Sequence, residues 1–168
     1  MEKYILKESD KKNRHFKRFA REWAMQFLFQ HDLNNTPDIE TTIQNYLEQL
    51  DDSEIHSDTP DEKTFKKSTK FTQELIKGVL DNQKQIDETI SSFSEKWTMT
   101  RMNNVDRNIM RVATYEMLFC KSVPPIVSIN EAVEIGKTFG TVNSAAFING
   151  ILNSIKDTLD RPAREALA

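Results

Sequence analysis

Apolar residues recur at helical spacing in seven stretches of this chain, and nowhere do they alternate at the two-residue period of a strand. From about Asn13, Phe16, Ala20, Trp23 and Phe27 fall at i, i+4, i+7 and i+11, one face of a helix, which Phe19, Ala24 and Leu28 widen. After a break at Asn34-Asn35-Thr36-Pro37 come Ile39, Ile43, Tyr46, Leu47 and Leu50. Phe71, Leu75 and Val79 predict a third helix despite Gly78, and Ile86, Ile90 and Phe93 a fourth. Met102, Val105, Ile109, Val112 and Glu116 trace a fifth that stops before Pro124-Pro125. Ser128 and Glu131 have the spacing of a capping box ahead of Ala132, Ile135 and Phe139, with Gly140 set for a left-handed C-cap. A last helix runs from Val142 to about Leu159 through Phe147, Ile151 and Ile155. With only four glycines and five prolines in 168 residues, the pattern predicts an all-α, single-domain bundle of about seven helices. Polar residues 1–12 and 161–168 are expected as tails around a helical domain over 13–160, and the acidic, polar stretch 51–63 as a solvated insertion.

Charge is unevenly distributed. Residues 32–64 hold ten acids and one base, a local charge of −9, so the remainder carries +6 of a total of −3. The distribution, more than the total, indicates which partners the surface can attract. Part of that positive charge lies on the first helix. Arg14, Arg18 and Arg21 fall at i, i+4 and i+7 with Lys17 beside them. Such a stripe is either a solvated face or a phosphate-binding one, because guanidinium forks match phosphate oxygens. The spacing alone leaves both readings open.

Catalytic chemistry finds no specific support. His15, His31 and His56 are scattered, no glycine-rich phosphate loop or nucleophile elbow occurs, and Glu131 with Glu134 is the nearest approach to paired carboxylates. The lone Cys120 excludes an internal disulfide and a cysteine-based zinc site, and its apolar neighbours predict a buried, inert thiol. No run has the roughly 20 apolar residues of a membrane span, and no secretory h-region opens the chain, so a cytoplasmic protein without membrane contact is expected.

Several ordered motifs carry a family resemblance. The segment Lys17-Arg18-Phe19-Ala20-Arg21-Glu22-Trp23-Ala24-Met25-Gln26-Phe27-Leu28 resembles the opening helix of the NusB family. VDRNIMRVATYEM, VPPIVSINEAVEIGKTFGT and FINGIL, all between Trp97 and Ile155, resemble the rest of its signature in the same order. About half the chain matches closely and the middle loosely. The resemblance implies two small packed helical subdomains, no catalysis and no cofactor. It also implies binding to single-stranded boxA RNA of nascent ribosomal RNA, together with NusE, a small-subunit ribosomal protein, in the RNA polymerase antitermination complex. Matching positions assign RNA contacts to Lys17, Arg18 and Arg21 and to Phe139, Gly140, Asn143 and Phe147, with Arg14 extending the basic stripe. Asp106, an acid expected to be exposed at a helix start, matches the region contacting NusE. Some relatives pair through the RNA-binding face, which leaves a homodimer open. The chain departs from the pattern at Phe19, where relatives often carry another arginine, and in GTVNSAA, which has no charged residue. Two other readings are a protein-binding scaffold without RNA contact and the accessory domain of an RNA cytosine methyltransferase, which a catalytic domain should follow.

Overall fold

The computed structural model describes residues 8–34, 36–52 and 61–167, with side chains described from Phe16 onward except Asp52. Seven α-helices and no strand occur among the described residues: α1 (Glu8–Asn34), α2 (Ile39–Asp52), α3 (Glu62–Asp81), α4 (Gln83–Ser92), α5 (Asn104–Phe119), α6 (Pro125–Phe139) and α7 (Ser144–Asp157). The all-helical expectation holds. The first helix spans 27 residues, about 40 Å, and packs on α3 and α5. The fifth lies at the centre, against α1, α3, α4, α6 and α7.

Burial follows the sequence periodicity. Ala20, Ala24 and Leu28 of α1 join Leu75, Ile76 and Val79 of α3, Ile109 and Met110 of α5, Ile129 of α6, and Ile148 and Leu152 of α7 in one continuous core. A satellite cluster of Trp23, Leu50 and Phe65 fastens α2 and the start of α3 to α1. All seven helices thus contribute to one apolar interior. Gly78 sits inside α3 because Tyr115 packs there: a Cβ would lie 2.1 Å from the Tyr115 Cζ.

Helix boundaries differ from the sequence expectations in ways that have local causes. The first helix already includes Glu8, ahead of the expected start at Asn13. The third begins at Glu62, where the Asp61 carboxylate accepts the Thr64 N–H at 2.6 Å, so the insertion expected over 51–63 is trimmed by structure at both ends. Residues 53–60 of that stretch lie outside the described residues. The sixth helix starts at Pro125. Proline at the first helical position has its φ pre-set and lacks only an N–H that would be orphaned, so the helix opens a turn early and Ser128 and Glu131 are interior rather than a capping box. Gly140 ends α6 in extended backbone (φ −92°, ψ −164°), not in a left-handed cap. Its lack of a side chain serves close packing, since a Cβ would lie 2.3 Å from the Ser144 Oγ.

Two polar assemblies tie the helices together. Asp32, read from sequence as part of the acidic stretch, accepts hydrogen bonds from Arg107 (2.9 Å), Asn108 (3.0 Å) and Arg111 (2.8 Å), and Arg111 reaches on to Asp87 at 2.8 Å. Burial alone would raise the Asp32 pKa, but Asn108 and the two guanidinium groups hold it below the usual carboxylate value. At the other end, Arg161 donates to the carbonyls of Met117, Cys120, Lys121 and Val123, and Ile126 N–H donates to Ala163 O at 2.9 Å. The segment expected as a C-terminal tail is therefore stitched to the α5–α6 connection.

Candidate nucleic-acid interface

The basic residues of α1 diverge in the fold. Arg18 donates Nε and Nη2 to the two carboxylate oxygens of Glu131 on α6, at 2.8 and 3.1 Å, while keeping a side-chain exposure of 40%. Arg21, expected on the solvent face, is 3% exposed. Its Nε and Nη2 donate to Glu116 on α5 at 2.6 and 2.9 Å, and the Ser128 hydroxyl of α6 donates to the same carboxylate at 2.9 Å. Burial alone would lower the Arg21 pKa, but the charge and hydrogen bonds of the fully buried Glu116 outweigh it and raise it. The reason for this correction is helical position. Arg21 stands four residues before Met25 and seven before Leu28, both buried, so it projects into the apolar arc that those residues define. Lys17 turns the other way, with Nζ 5.8 Å from the centroid of the Phe71 ring on α3; burial and the charge of Arg21 lower its pKa. The Arg14 side chain lies outside the described residues.

These pairs also set the direction of α6. Moving from Arg18 to Arg21 along α1 moves from Glu131 back to Ser128 along α6. The two helices therefore run antiparallel, and the basic N-terminal part of α1 lies at the same end of the molecule as the C-terminal end of α6. That end carries the second group of expected contacts. Phe139, the last residue of α6, is 38% exposed, Val142 is 96% exposed, and Asn143 is exposed ahead of α7. The Ser144 Oγ accepts the Thr141 N–H at 2.8 Å and keeps this connection tight, so Phe139, Val142 and Asn143 face outward from a fixed turn. Phe147 is half-buried against the core and offers only part of its ring.

Asp106 departs from expectation in exposure. It is 6% exposed at the start of α5 and is hydrogen-bonded by Ser144 at the start of α7, while its Oδ1 has no hydrogen-bond partner among the described residues. Burial pushes its carboxyl above the usual range. The residues that sequence reasoning missed are Glu116 and Ser128, which orient Arg21, and the structural role of Glu131. Their one sequence signal was placement on the apolar lines of α5 and α6. Cys120 is half-buried, and burial with the nearby charge of Glu116 pushes its thiol up to about 11, in keeping with an inert cysteine. Among the described residues, no group of three metal-ligating side chains forms and no helix is long and apolar enough to cross a membrane.

A continuous helical core presenting a basic helix start beside an exposed aromatic turn defines a helical binding module. Comparison with known proteins narrows this. Residues 18–157 match the family described as the NusB family. The transcription antitermination protein NusB of Desulfatibacillum aliphaticivorans is 46% identical over 83% of this chain and 88% of its own length. That of Bacillus cereus (strain B4264) is 39% identical over 85% and 98%. In structure, T. maritima NusB superposes with a TM-score of 0.68 at 36% identity, covering 86% of this chain and 93% of that one. A solved complex of the antitermination factors NusB and NusE with dsRNA matches with a TM-score of 0.69 at 19% identity, over 86% and 98%, a likeness of fold alone. The chain belongs to the NusB family, and is a non-catalytic transcription antitermination factor.

Proposed function

We propose that this chain binds boxA-type single-stranded RNA of nascent ribosomal RNA transcripts in the cytoplasm, jointly with a NusE-type ribosomal protein. In the RNA polymerase antitermination complex, the pair would support processive transcription of ribosomal RNA. One observation carries the site assignment: the Arg18–Glu131 pair docks the basic start of α1 on α6, so that two separate sequence segments meet at one end of the fold. Arg18 supplies charge there, with Lys17 on the neighbouring flank of α1 and Arg14 one helical turn earlier in the sequence. Phe139, Gly140 and Asn143 supply an aromatic edge, close backbone approach and an amide able to read a base, with the exposed part of Phe147 beside them. Arg21 acts from beneath, positioning α1 against α5 and α6 through Glu116. The complex of NusB and NusE with dsRNA in a protein of the same fold supports both partner classes. For the protein partner we assign the surface around the start of α5, where Asp106 joins α5 to α7.

The test is a pair of substitutions at exposed positions, Phe139→Ala with Asn143→Glu, in filter binding to boxA-type and scrambled RNA. Three cationic contacts to a single strand give a salt slope of roughly −2 for the parent, and loss of one stacked base weakens binding by about tenfold or more. Helical content should not change. Parent-like boxA affinity in the folded double variant would place the RNA site elsewhere.

A further inference from the structure

A groove of about 470 Å³ opens between α1 and α3, lined also by Ser122 of the α5–α6 connection. Phe16 and Phe71 form its apolar base, edge to face with ring centroids 6.4 Å apart. Three lysines surround them. Lys17 Nζ stands 5.8 Å from the Phe71 centroid, Lys67 Nζ stands 5.8 Å from the Phe16 centroid, and Lys70 lies on the rim a helical turn beyond Lys67. Among the described residues, none of the three makes an ion pair, whereas Lys66 and Lys77 on the same helix pair with Glu62 and Glu40. Glu74 is the one acid in the lining, leaving the groove with a net charge of +2.

From this we infer that the α1–α3 groove is a second RNA subsite, taking a single-stranded segment that flanks the boxA-type element. The inference rests on the RNA-binding reading above. Two properties select this occupant. Unpaired ammonium groups in a concave site call for a polyanion, and partly exposed phenylalanine faces between them call for a planar base. A duplex hides its base faces, and an acidic peptide would satisfy the lysines but leave the rings unused. When a phosphate draws Lys17 or Lys67 outward, the ring face that the ammonium covered is freed for a base, so the two contacts reinforce each other. Lys17 and Arg18 are adjacent on α1, the first over Phe71 of α3 and the second on Glu131 of α6, so one strand passing from the α6–α7 turn around α1 meets both cations on its way to the groove.

The test uses the full chain and its Lys67→Glu, Lys70→Glu double variant, both positions being exposed. Filter binding compares boxA-type RNA alone with the same RNA carrying six added uridines at either end. We expect the flanks to tighten parent binding about tenfold, and the variant to lose that gain while binding the unflanked RNA as the parent does. In parallel, a uridine hexanucleotide should shift the parent's backbone amide resonances at Lys67, Lys70 and Phe71, but not the variant's. Shifts without boxA binding would sustain the groove and overturn the boxA reading. BoxA binding with no gain from flanks and no shifts would overturn the groove alone, and neither result would overturn both. Weaker capture of a NusE-type protein by the variant, with the RNA gain intact, would assign the groove to protein and overturn the inference.

Discussion

Arg21 gives the sharpest test of how this interface is built, because its guanidinium and the Glu116 carboxylate are both withdrawn from water. Removing one member leaves a charge among Met25, Ile109, Val112, Ala113, Ala132 and Ile135, which line the small cavity of about 10 Å³ at the pair. That void is at the lower limit for one water molecule, so solvent cannot readily replace the lost partner. Breaking a pair of this kind costs about 3–5 kcal/mol, a large share of the roughly 5–15 kcal/mol that stabilises a domain. Arg21→Met should therefore shift the urea midpoint strongly downward. Arg21→Met with Glu116→Leu removes both charges, leaving only the Ser128 hydroxyl without its acceptor, and the apolar walls suit the replacements. The double variant should recover most of the loss, leaving it within about 1–2 kcal/mol of the parent. The assay is a double-mutant cycle in urea, followed by RNA binding with the folded double variant. Additive losses in the two single variants would refute the buried-pair reasoning. The folded double variant should bind boxA-type RNA more weakly than the parent, because α1 loses the pair that positions it; parent-like binding would refute a positioning role for Arg21.

Other expectations follow from two further carboxylates, the half-buried Asp32 and the buried Asp106. The Asp32 carboxyl is held low, so its contribution is complete at neutral pH and is lost as pH falls below the ordinary carboxylate value and through its depressed one. Asp32→Asn should cost about 3 kcal/mol at pH 7, and denaturant titrations should show the difference from the parent shrinking on acidification; a constant difference would refute the assignment. The Asp106 carboxyl is pushed up, so the folded state holds its proton more tightly and stability declines as pH rises from the ordinary value through the raised one. Asp106→Asn should then melt at or above the parent temperature at pH 7 while binding a NusE-type protein more weakly. A lower melting temperature would contradict the cost assigned to burying this carboxylate, which Ser144 offsets only in part.

The amino-acid sequence by itself determined the helices and most of their inward faces. A period near 3.6 requires only local geometry, so Ala20, Trp23, Ala24 and Phe27 are buried as their spacing dictates, and Pro124-Pro125 separates α5 from α6 as proline must. Phe139, Gly140 and Asn143 were likewise legible as a turn between two helices. What only the tertiary structure decided is where the charges go. Arg18 and Arg21 belong to one basic stripe on a helical wheel, yet one stays half in solvent on Glu131 and the other is sealed against Glu116. Their partners come from residues 113 and 95 positions away, a separation over which helical periodicity carries no information. Asp32 and Asp106 were misplaced for the same reason. An acid at a helix end looks solvated until the helices packed beside it bring Arg107 and Arg111 to the first and Ser144 to the second. Apolar burial obeys the periodicity of each helix, whereas a buried charge depends on a partner that only the packing of distant segments supplies.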